Sequence, residues 1–93
     1  MFRKASLILS PSTVNVGEPY IIAGASFAPG QFVSLGIREP DVAWYWNGYP
    51  DALGVFAFTW TASDAGASVI HDAYQKSKNG RYSLKASATL TVR

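Results

Sequence analysis

From Arg81 to Arg93 the chain alternates without a break, with Tyr82, Leu84, Ala86, Ala88, Leu90 and Val92 on one side and Arg81, Ser83, Lys85, Ser87, Thr89, Thr91 and Arg93 on the other. Successive side chains of a β-strand point to opposite faces, so this pattern demands an extended segment with one apolar face on a core and one polar face in water. A helix would scatter both sets around its circumference. Leu84 and Leu90 are therefore expected inside, and Lys85 and Thr89 outside.

The same period of two recurs in Val33, Leu35 and Ile37 and in Phe56, Phe58 and Trp60, while Tyr20-Ile21-Ile22-Ala23 and Val69-Ile70 carry the β-branched and aromatic residues of further strands. Turn signals separate these segments: Val16-Gly17-Glu18-Pro19, Ala28-Pro29-Gly30, Asn47-Gly48, Asp64-Ala65-Gly66 and Asn79-Gly80. The resulting map places strands at 5–9, 13–16, 19–25, 31–38, 42–46, 54–61, 67–74 and 81–92. Short strands at this spacing, with no long helical period, predict an all-β antiparallel sandwich or barrel.

At 93 residues there is room for one core, and the expectation is a single domain over 1–93. A composition that is 48% hydrophobic and only 15% charged places the whole chain with folded proteins rather than disordered ones. With no cysteine, stability has to come from packing, and a disulfide framework, a thiol nucleophile and cysteine metal sites are excluded. The net charge is +2 and the basic residues are scattered, the nearest groupings being Arg3-Lys4 and Lys76, Lys78 and Arg81. A nucleic-acid binder gathers such residues on one face, so nucleic acid is not expected as a partner. Ala5-Ser6-Leu7-Ile8-Leu9 is too short for the apolar region of a signal peptide and reads as the first strand, and no stretch has the length of a membrane span.

Several stretches together resemble the immunoglobulin-like domains of bacterial surface proteins and phage virions. They are Leu9-Ser10-Pro11-Ser12, Val16-Gly17-Glu18-Pro19-Tyr20, Gly24-Ala25-Ser26-Phe27-Ala28-Pro29-Gly30-Gln31, Gly54-Val55-Phe56 and Ala88-Thr89-Leu90-Thr91-Val92. The resemblance implies an immunoglobulin-like antiparallel β-sandwich of about seven strands, with Gly24 making room beside Phe27. Residues 39–53 depart from it, being longer and more aromatic than the connection expected after the 31–38 strand.

Little in the chain suggests catalysis. The single histidine, His71, has Asp72 beside it, but neighbours on a strand face opposite ways and cannot form a dyad, so His71 is expected in a core or interface. The six acidic residues sit among turns without the spacing of a calcium loop or of paired catalytic carboxylates, although Glu39, Asp41 and Asp51 flank one segment and could meet at a weak cation site. With no glycine-rich phosphate loop or zinc motif either, no enzyme activity, cofactor or resident metal is expected.

The segment Trp44-Tyr45-Trp46-Asn47-Gly48-Tyr49 stands out. Trp44 and Trp46 share a face with Val42 and could cap the core above an Asn47-Gly48 hairpin turn. Alternatively Trp44, Tyr45, Trp46 and Tyr49 form a binding surface, since exposed aromatics of this kind mark protein interfaces and sugar-stacking platforms. The chain begins at Met1 without a secretion signal and carries the surface-domain pattern, which together suggest a structural or binding protein of a phage virion, a capsid decoration or accessory protein with another virion protein as its partner. The alternative is a carbohydrate-binding or adhesion module at the bacterial cell surface, which needs a coplanar exposed aromatic pair.

Overall fold

The computed structural model describes residues 4–40, 42–63, 65–76 and 79–93. Asp41, Asp64, Lys78 and Arg3, which figure in the turn, charge and cation-site expectations above, lie outside them. Among the described residues the chain is all-β, with eight strands: β1 (Ser6–Ser10), β2 (Thr13–Val14), β3 (Pro19–Ala25), β4 (Val33–Arg38), β5 (Ala43–Gly48), β6 (Phe56–Thr61), β7 (Ala67–Lys76) and β8 (Tyr82–Val92). They form two sheets, ordered β1-β3-β6 and β2-β8-β7-β4-β5.

Two features depart from the antiparallel, seven-stranded expectation. At Ser10-Pro11-Ser12 the chain leaves β1, which is antiparallel to β3, and enters β2, which runs parallel to the end of β8. Proline has no N–H for a ladder, so pairing stops there and resumes in the other sheet, which is therefore mixed. In addition, there are eight strands and not seven, and the one mapped at 42–46 runs on to Gly48: β5 pairs with β4 from Arg38↔Ala43 to Val33↔Gly48 and forms the edge of the five-stranded sheet. Asn47 and Gly48 are thus strand residues and not a hairpin turn. A Cβ at position 48 would come within 2.7 Å of the Trp46 indole, so a side chain there would have to push the indole aside.

The two sheets bury their facing surfaces together. Leu7 and Leu9 of β1, Tyr20 and Ile22 of β3 and Phe56 of β6 meet Val33, Leu35 and Ile37 of β4, Val69 and Ala73 of β7 and Leu90 and Val92 of β8. Ile22, Val33, Leu35 and Ile37 are completely buried, each contributing about 1.5–3 kcal/mol relative to exposure. Gly24 sits where any Cβ would run into the Phe56 ring and come within 2.9 Å of Phe27, so the close approach expected from the sequence is real, with Phe56 the nearer neighbour.

The last strand is not uniform. Ala73 faces Ala86 but Tyr74 faces Leu84, so Lys85 has no opposite residue and the ladder carries a bulge. One extra residue exchanges the two faces. Beyond the bulge Leu84 lines up with outward-facing Tyr74 and is 53% exposed, and Tyr82 is exposed as well, correcting the expectation that both lie on the core side.

Candidate functional site

Register decides where each aromatic of β5 points. Leu35 and Ile37 are core residues, so their partners Trp46 and Trp44 face inward, whereas Tyr45, opposite Gly36, faces outward. Trp46 stacks on Phe58 at 4.5 Å with ring planes 13° apart and on Phe56 at 5.1 Å, packing against the core from the sheet edge. Trp44 meets Trp60 of β6 at 6.2 Å and 58°, and remains 47% exposed. The four candidate binding residues therefore divide between two faces. The near-parallel rings, Trp46 with Phe58 and Phe56, stack on one another instead of offering a shared flat platform.

Tyr45 and Tyr49 belong to a surface assembled from four strands. Gly36 leaves its position without a side chain, and the Tyr45 ring stands about where van der Waals contact with a Cβ would be. Phe32, just before β4, meets Tyr49 edge-on at 5.7 Å and Tyr82 of β8 at 6.2 Å, joining the two ends of a row across the sheet. Tyr74 of β7 and Leu84 of β8 are opposite one another in register. Four of the five tyrosines, Tyr45, Tyr49, Tyr74 and Tyr82, are thus exposed on the outer face of the five-stranded sheet, and the first two are about two-thirds exposed. On the same face Arg38 Nη2 lies 2.6 Å from Asp72 Oδ2, and Lys76, opposite Tyr82 in register, adds a positive charge beside the rings.

Sequence reasoning found Tyr45 and Tyr49 but missed Phe32, Tyr74, Tyr82 and Leu84. The first two lay in unremarkable strand segments, and the last two were assigned to the core by an alternation that the bulge reverses. Their common feature is that each is a large apolar or aromatic side chain on the outer face of the five-stranded sheet, and such residues gathered in one patch are more informative than any of them singly.

The fifth tyrosine is inside. Tyr20 O–H lies 2.8 Å from His71 Nε2, and His71 Nδ1 lies 3.1 Å from the Val69 carbonyl oxygen. A carbonyl can only accept, so Nδ1 donates to Val69, and in the neutral imidazole that burial favours, Nε2 accepts from the Tyr20 hydroxyl. Burial lowers the His71 pKa below its ordinary 6.5, and burial together with the nearby Glu39 charge pushes the Tyr20 phenol well up. Asp72 points to the other face and pairs with Arg38, so it is no partner for His71.

Other polar groups have structural uses. Gln75 Nε2 donates to the Ala28 and Gln31 carbonyls and its Oε1 accepts from Ala28 N–H, fixing the β3–β4 loop. Asp51 Oδ1 accepts from the N–H groups of Leu53 and Val55, and the Glu39 carboxylate accepts from the Ser63 hydroxyl at 2.6 Å. Among the described residues no three His, Asp or Glu side chains come together as a metal set. No helix there is long and apolar enough to cross a membrane.

No family model matches this sequence, and no curated protein does. Solved structures are similar in fold: macromomycin superposes with a TM-score of 0.62 over 96% of this chain and 99% of its own, at 16% sequence identity. At that identity the likeness concerns the fold alone.

Proposed function

We propose that this protein is a non-catalytic module, an immunoglobulin-like sandwich that attaches to a protein partner through the outer face of its five-stranded sheet. The observation that carries the reading is the gathering of Tyr45, Tyr49, Tyr74 and Tyr82 with Phe32 and Leu84 on that face. Tyrosine gives large contact area at low conformational cost and keeps a hydroxyl for hydrogen bonding, which is why it is concentrated at protein interfaces. A patch with this many rings approaches the few hundred Å² at which an exposed apolar surface on a soluble protein marks a contact site.

Topology supports the immunoglobulin-like assignment. If β1 and β2 are taken as the two halves of one first strand, the sheets follow the orders A-B-E and A′-G-F-C-C′. In antibody domains strands B and F carry the inter-sheet disulfide, and here the corresponding β3 and β7 are joined by the Tyr20–His71 hydrogen bond. The resemblance to virion and surface domains suggests the partner, a capsid or other virion protein. Co-sedimentation of the purified chain with capsids assembled from the genes adjoining its own tests this. Saturable binding to capsids, with none to bacterial polysaccharides, is the expected result, and binding to polysaccharide alone would replace the protein partner with a carbohydrate.

A further inference from the structure

A second surface, on the open side where the two sheets end, is chemically unlike the tyrosine face. β5 and β6 are both edge strands, and between them Trp44 and Trp60 are tilted at 58° with their ring centres 6.2 Å apart. Together with Glu39, Thr59, Thr61 and Ser63 they line a groove of about 340 Å³. Among its described lining residues Glu39 is the one that carries a charge, and none of them is Lys or Arg. Ser63 donates to Glu39 Oε2, which holds the carboxylate beside the rings and leaves Oε1 for another partner.

We propose that this groove binds a quaternary ammonium group. An indole face attracts cations through its quadrupole, and two indoles lining one groove together with a carboxylate supply the parts of a partial aromatic cage. Charge complementarity favours this occupant, because a cation adds coulombic attraction to the Glu39 carboxylate where a neutral sugar can only hydrogen-bond to it, and an anionic ligand is repelled. The groove is open at the surface, so affinity is modest, with a dissociation constant on the order of 1 mM. The proposal is independent of the tyrosine face, which lies on the other side of the five-stranded sheet.

The test is a titration of the whole chain with tetramethylammonium chloride, followed by the indole and backbone N–H resonances and compared with sodium chloride at equal ionic strength. Saturable shifts centred on the Trp44 and Trp60 indoles are expected, weakened about fivefold or more in Glu39→Gln and lost in Trp44→Ala, with the rest of each variant's spectrum unchanged. Trp44 is half exposed and Glu39→Gln keeps the shape of the side chain, so both variants are expected to fold. The proposal is overturned if no saturable shift occurs, if Glu39→Gln binds as well as the parent, or if methyl glucoside binds the groove more tightly than the cation.

Discussion

At the scale of single residues, the core is governed by two close fits, one steric and one polar. Gly24 lies against Phe56 and Phe27 with no space for a methyl group. Gly24→Val is therefore expected to cost about 1–3 kcal/mol or more through overpacking, read as a lower urea midpoint, and an unchanged midpoint would contradict the packing described. The polar fit is Tyr20 with His71. Removing the hydroxyl in Tyr20→Phe leaves buried Nε2 without its donor, at an expected cost of about 1–3 kcal/mol. Because burial lowers the His71 pKa in the folded state, the unfolded chain takes up the proton first as pH falls. Stability is then at its full value above the unfolded pKa of about 6.5 and declines below it, towards the lower folded value. His71 is the sole histidine, so the urea midpoint should fall between about pH 7.5 and about pH 5, and the fall should be absent from His71→Gln. An equal fall in both proteins would assign the effect to other groups. The core position of His71 could be read in the sequence, since adjacency on a strand separates it from Asp72. Its partner could not, because Tyr20 lies 51 residues away on the opposite sheet and only the packing of the two sheets brings them together.

Among elements, β8 and β5 teach the most. Strand positions were legible because the period of two is local: the segments expected at 19–25, 31–38, 54–61 and 81–92 match β3, β4, β6 and β8 to within two residues. Side assignment in β8 was not legible, because a bulge is fixed by the cross-strand partner. Ala86 opposite Ala73 and Leu84 opposite Tyr74 are facts about β7 as much as β8. Leu90→Asp is accordingly expected to abolish folding, with a charge buried at a position 1% exposed, while Leu84→Asp should change stability by less than about 1 kcal/mol. Comparable damage from both would mean that the bulge is misplaced and the unbroken alternation correct. In β5 the sequence offered core or surface as alternatives for one segment, and the strand takes both, sending alternate residues to opposite faces. Trp46→Ala should cost about 3 kcal/mol, since the indole stacks on Phe56 and Phe58, whereas Tyr45→Ala should cost less than about 0.5 kcal/mol. Calorimetric unfolding of the two variants separates them, and equal losses would contradict the division of the strand.

For the molecule as a whole, the order of strands makes a surface that no stretch of sequence contains. Tyr49, Phe32, Tyr74 and Tyr82 come from β5 or its end, the approach to β4, β7 and β8, and they share one face because those four strands are neighbours in one sheet. The sheet opposite contributes the core beneath them and so holds the face rigid, which limits the ordering cost of binding. Fold class was readable from periodicity, while the tyrosine-rich face depended on long-range register and on the exchange of faces at the bulge. The central claim is that this face attaches to a protein partner without being needed for the fold. It is tested most directly with the double variant Tyr45→Ser/Tyr82→Ser, after its urea midpoint has been shown to lie close to that of the parent. Capsid co-sedimentation should show affinity reduced by at least about tenfold, since interface aromatics are each worth about 2 kcal/mol when truncated. A folded double variant that binds capsids as well as the parent would contradict it.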